Sequence, residues 1–166
     1  MLEVVIKFLC SLIGSVAGIL IIENISKIKF KLNLKNIILL ILLSVITTLQ
    51  FKTEYTITIS LTVYILIIMI YKWLFNMSYK KSVLLGGVVL IITSMSDLMW
   101  AIILKQFFTN DQLREPTILF LMFNMLVYSS AYFLSHVFNY KRFLTKFIAK
   151  TDNSKIYSQF IFIILT

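Results

Sequence analysis

Five apolar stretches, each close to twenty residues long and parted by short lysine-bearing breaks, constrain this chain more than any other feature. The hydrocarbon core of a bilayer is about 30 Å thick, and a helix crosses it in roughly 20 residues. Residues 4–22, 32–51, 56–75, 83–104 and 117–138 each meet that length. A further run, residues 156–166, is apolar but too short to cross and reads as an incomplete sixth span. In lipid every backbone amide needs a partner inside the protein, which leaves helices or a closed barrel. Gly (4) and Pro (1) are too scarce for turn-rich β architecture. The expected fold is all-α: a polytopic transmembrane helical bundle over residues 1–166, with five full spans and a truncated sixth.

Composition agrees. The chain is 60% hydrophobic and 14% charged, with a mean hydropathy of +0.94, and a soluble domain of this length needs more charge to cover its surface. The formal net charge of +9 would suggest nucleic acid in a soluble protein. Here the cations lie in breaks between apolar spans, where anionic lipid attracts them, so the expected partner is the bilayer and not nucleic acid. Ending within an apolar run, the chain reads as the front part of a longer protein.

Orientation follows from lysine and arginine placement. The break after the first span carries Lys27, Lys29, Lys31 and Lys35, and the one after the third carries Lys72, Lys80 and Lys81. Lys141, Arg142, Lys146, Lys150 and Lys155 follow the fifth. Those regions hold 12 of the 16 cations, while Lys7, Lys52, Lys105 and Arg114 fall on the alternate side. The expectation is a multi-pass protein of a bacterial cell membrane with its N-terminus outside. Within residues 140–150, Arg142, Lys146 and Lys150 recur every four residues opposite Tyr140, Phe143, Leu144, Phe147 and Ile148. That spacing suits an amphipathic helix lying on the inner membrane surface.

Few side chains carry chemistry. Asp97 lies inside the fourth span, and an ionisable group at that depth usually faces the bundle interior or a wet cavity. It reads either as part of a ligand pocket or switch, or as a polar tie to Ser, Thr or Asn124 on neighbouring helices. Tyr55, Trp100 and Phe107 are aromatic candidates at or near the outer mouth, where a small amphipathic ligand or an ordinary aromatic belt would place them. Gly14 and Gly18 form a small-residue face with Ser11, Ser15 and Ala17. Such a face serves close helix packing, within one subunit or across a homodimer.

The single Cys10 permits no intrachain disulfide, and the single His136 builds no metal cluster, so no metal or cofactor is expected. His136 reads as a helix-end cap. No Gly-rich phosphate loop, Gly-x-Ser-x-Gly or His-Glu-x-x-His occurs, and Cys10 and His136 are expected on opposite sides of the membrane. These residues are therefore not expected to form an enzyme.

The stretches Glu23-Asn24-Ile25-Ser26-Lys27-Ile28-Lys29-Phe30, Lys52-Thr53-Glu54-Tyr55 and Phe75-Asn76-Met77-Ser78-Tyr79-Lys80-Lys81-Ser82, before a span carrying Ser96-Asp97, resemble one family. It is the membrane sensor region of peptide-pheromone receptor histidine kinases, the accessory-gene-regulator C type of the GHKL class. The resemblance implies a bundle of six or seven spans whose outer loops receive a short, often cyclised, extracellular peptide. It also implies a dimerisation helix and a kinase domain after the last span, and these 166 residues contain neither a phosphoacceptor box nor ATP-binding loops. On this reading Asp97 sits at the pivot of a two-state bundle, and residues 140–150 relay movement at the inner surface. Two other readings stand beside it: a small substrate-binding subunit of a vitamin or metal transporter using Asp97 and Asn124, and a structural membrane protein acting through Gly14 and Gly18.

Overall fold

The computed structural model describes residues 2–49, 57–109, 112, 115 and 117–140. Five helices occupy them: α1 (Leu2–Ser26), α2 (Leu34–Leu49), α3 (Ile57–Phe75), α4 (Tyr79–Leu104) and α5 (Ile118–Tyr140). No strand occurs among the described residues, so the all-α expectation holds.

The count of spans does not. Among the described residues three helices, α1, α4 and α5, combine the length and apolarity needed to cross a membrane, against the five full spans expected. Within the described residues, the apolar stretches of the other two, Leu34–Thr48 in α2 and Ser60–Phe75 in α3, are shorter, and both helices border the segment 50–56, which lies outside those residues. The start of α2 is set locally. Asn33 caps the helix, its Oδ1 accepting from the Asn36 amide at 2.8 Å, while the Asn36 side chain donates to the Lys31 carbonyl at 2.8 Å. Residues 32 and 33, counted as membrane-spanning from their hydropathy, are thereby held in the connection. The expected interfacial helix at 140–150 with Arg142, Lys146 and Lys150, the incomplete span at 156–166, and Tyr55 lie outside the described residues.

Capping chemistry explains the connections. α1 ends at Lys27, whose φ of 60° is left-handed and whose amide donates to the Glu23 carbonyl at 2.9 Å. The Glu23 carboxylate turns back to accept from the Phe30 amide, and Ser26 Oγ accepts from the Ile28 amide at 3.2 Å. α3 stops in a Schellman motif: Asn76 takes φ 49°, and the Met77 amide donates to the Lys72 carbonyl at 3.1 Å. Ser78 then caps α4. After α4, Thr109 and Gln112 form a reciprocal capping box, the Thr109 amide donating to Gln112 Oε1 at 3.0 Å.

α1 is the central helix and packs on α2, α4 and α5; α3 closes the bundle against α2 and α4. The core holds Ile21, Ile22 and Ile25 of α1, Leu43 of α2 and Leu85 of α4, all essentially without exposure. Phe30, in the first connection, rests against Phe75 at the end of α3 with ring centroids 6.4 Å apart. This contact puts the α1–α2 and α3–α4 connections, with their lysines, at one end of the bundle.

Candidate functional site

Buried hydroxyls divide into two sets. Ser44, Ser82 and Ser135 donate to carbonyls of their own helices, at 2.9 Å to Leu40, 3.1 Å to Ser78 and 2.6 Å to Tyr132. A helix routinely satisfies a serine in apolar surroundings this way. Ser11 Oγ, Ser15 Oγ, Tyr64 OH and Ser96 Oγ are buried and have no hydrogen-bond partner. Each such group costs roughly 1–3 kcal/mol. Two of the four lie on α1, one on α3 and one on α4.

Three of the four line one half-open chamber of about 170 Å³ between the helices. All five helices contribute to its wall. Ser11, Gly14 and Ser15 come from α1, Leu43 and Thr47 from α2, and Tyr64, Ile67 and Tyr71 from α3. α4 adds Gly86, Val89, Leu90 and Thr93, and α5 adds Tyr128. Thr47 and Thr93 keep their hydroxyls on helix carbonyls, to Leu43 at 3.0 Å and to Val89 at 2.9 Å. Ser96 stands three residues beyond Thr93 and extends the same face of α4.

The glycines make room for the phenols. A Cβ at Gly14 would lie 2.6 Å from the Tyr128 hydroxyl and 2.7 Å from its Cζ. A Cβ at Gly18 would collide with the Tyr71 hydroxyl, with Tyr71 Cζ at 3.5 Å. The small face of α1 thus receives tyrosines from α5 and α3 of the same chain.

Of the sequence candidates within the described residues, Gly14 lines the chamber, while the candidate ligand or switch residues do not. Asp97, expected to face the interior, is exposed; it follows the buried Ser96 and so points about 100° away around α4. Asn124 is buried and its amide donates to the Phe120 carbonyl at 2.8 Å, within its own helix. Trp100 Nε1 donates to Ser130 Oγ at 3.1 Å and ties α4 to α5. Phe107 is 74% exposed beyond the end of α4. Cys10 is fully buried against Ile6 and Phe120. His136 stands roughly 24 Å farther along α5 than Phe120 and meets the Tyr132 ring edge-on at 4.8 Å.

The residues overlooked were Tyr64, Tyr71 and Tyr128 with Thr47 and Thr93. A signal for two of them was present. Tyrosine in a span normally sits at a membrane interface, whereas Tyr64 and Tyr128 fall well inside their apolar runs. At the lysine-bearing end a second, open cleft of about 480 Å³ lies between α1 and α5, lined by Leu20, Glu23, Asn24, Lys27, Lys29 and Tyr132. Beside it the Asn24 amide donates to Ser135 Oγ at 2.9 Å.

Chemically, the chamber offers hydroxyl donors and aliphatic walls with no charged side chain among its described lining. It suits binding of an uncharged group better than proton transfer or metal ligation. Among the described residues no three of His, Cys, Asp and Glu come together to hold a metal. No family model, curated protein or solved structure matches the chain.

Proposed function

We propose that this chain is the membrane-embedded sensing part of a bacterial signal-transduction receptor that responds to an extracellular peptide. The observation supporting this reading is the hydroxyl-lined chamber to which all five described helices contribute. A change of packing at that point reaches every helix at once, as a two-state sensor requires. The lysine-bearing connections at one end of the bundle suit a cytoplasmic output face. On this reading Asp97, next to the buried Ser96 on α4, is the switch residue to test. The kinase implied by the family resemblance would act from outside these 166 residues.

The test uses the natural full-length product in lipid nanodiscs, with spin labels at Lys29→Cys and Val137→Cys, both exposed positions. The peptide fraction of spent culture medium should move the two labels by ~2 Å or more. Asp97→Asn should damp that movement. Unchanged distances in a protein that instead copurifies with a vitamin would overturn the sensor reading in favour of a transporter subunit, which could use the same chamber.

A further inference from the structure

We infer that the chamber is a receptor site for one neutral, ring-sized group carrying a hydrogen-bonding oxygen, as a phenol does. The inference rests on reading the chamber as the sensing site, and it names the chemistry of what enters. Size is the first argument. The volume of about 170 Å³ is close to that of an apolar protein cavity that admits benzene, about 150 Å³. Leu43, Ile67 and Val89 supply the apolar wall such a ring would pack against.

Polarity is the second argument. Ser11 and Ser15 are only 3% and 4% exposed, line the chamber from one face of α1, and have no hydrogen-bond partner. Tyr64 OH approaches from α3 in the same unpartnered state. An oxygen on the guest accepts from one of these hydroxyls and donates to another. A purely hydrocarbon guest would leave all of them unsatisfied. Charge is the third argument. With no charged side chain in the described lining, an ionised guest would lose its hydration and find no counter-ion. A free small phenol and a tyrosine-like side chain of a peptide present the same chemistry.

The experiment measures saturable binding to the full-length protein in nanodiscs by fluorine NMR. The probes are 4-fluorophenol and a capped tripeptide with 3-fluorotyrosine at its centre. Wild-type protein should bind 4-fluorophenol saturably, and p-cresol should compete at least tenfold better than toluene. Ser11→Ala/Ser15→Ala should weaken binding tenfold or more while leaving the melting temperature unchanged or raised, because it removes unpartnered hydroxyls and little volume. Binding by the tripeptide assigns the guest to a peptide side chain; binding by the phenol alone assigns it to a free small molecule. Non-saturable partitioning, equal in wild type and the alanine variant, means water alone occupies the chamber and overturns the inference. So does a melting temperature lowered by the alanine pair, which would make those hydroxyls structural. Saturable binding without movement between residues 29 and 137 would keep the site and remove the sensor reading. Movement without saturable binding would remove the site alone.

Discussion

Gly18 and Gly14 look alike in sequence but differ in what they accommodate. In an open helix, alanine in place of glycine stabilises by roughly 1 kcal/mol. Here each added methyl meets a buried phenol, and overpacking of that kind costs about 1–3 kcal/mol. At Gly18 the obstacle is the Tyr71 hydroxyl, since the ring carbon behind it stands at an ordinary 3.5 Å. At Gly14 the Tyr128 ring carbon itself is only 2.7 Å away. Both alanine variants should therefore lower stability in detergent unfolding titrations. Tyr71→Phe should restore Gly18→Ala to within ~0.5 kcal/mol of Tyr71→Phe alone, because removing the oxygen removes the collision. Tyr128→Phe should not restore Gly14→Ala. Rescue at both sites, or at neither, would mean the tyrosines do not sit over α1 as described.

At the scale of elements, side chains that a hydropathy reading passes over set the helix ends. Lys27 and Asn76 both adopt positive φ, but asparagine tolerates that region better than lysine. Lys27→Gly should raise stability by about 0.5–1 kcal/mol, and Asn76→Gly should be near neutral. Asn76→Val should cost more than ~1 kcal/mol, as a β-branched residue resists left-handed backbone. Ser78→Ala should cost about 1 kcal/mol through loss of the α4 cap. Equilibrium unfolding of the four variants side by side decides the order; a neutral Asn76→Val would show that the α3–α4 turn is not the Schellman motif found here. The capping signals were legible as Ser78 before an apolar run and Thr109 three residues before Gln112. They went unused because hydropathy alone defined the spans.

For the whole molecule, the two lysine-bearing connections meet through Phe30 and Phe75, and α4 then carries Lys105 to the far end. Single cysteines replacing Lys29 and Lys80 should react with an impermeant maleimide from the cytoplasmic side alone, and one replacing Lys105 from the outside alone. Cys10, fully buried between α1 and α5, should remain unmodified throughout. Labelling of Lys29→Cys and Lys80→Cys from opposite sides would contradict the bundle.

Apolar run length and lysine placement were enough, without coordinates, to give the helical character of the described residues and the pairing of the α1–α2 and α3–α4 connections at one end. The reason is that backbone satisfaction in lipid and the positive-inside bias both act on one segment at a time. The start of α2 was less legible, because Asn33 and Asn36 hold residues 32 and 33 in a connection through hydrogen bonds that hydropathy does not register. The chamber was not legible at all. Asp97 drew attention as the charge in a span, yet a rotation of about 100° separates it from the buried face that Ser96 occupies. Ser11, Ser15, Tyr64 and Tyr128 carry no ligand signal singly, and they form a site because three helices, α1, α3 and α5, bring them to one point. Only tertiary packing decides that, since a hydroxyl is satisfied or orphaned by what stands opposite it.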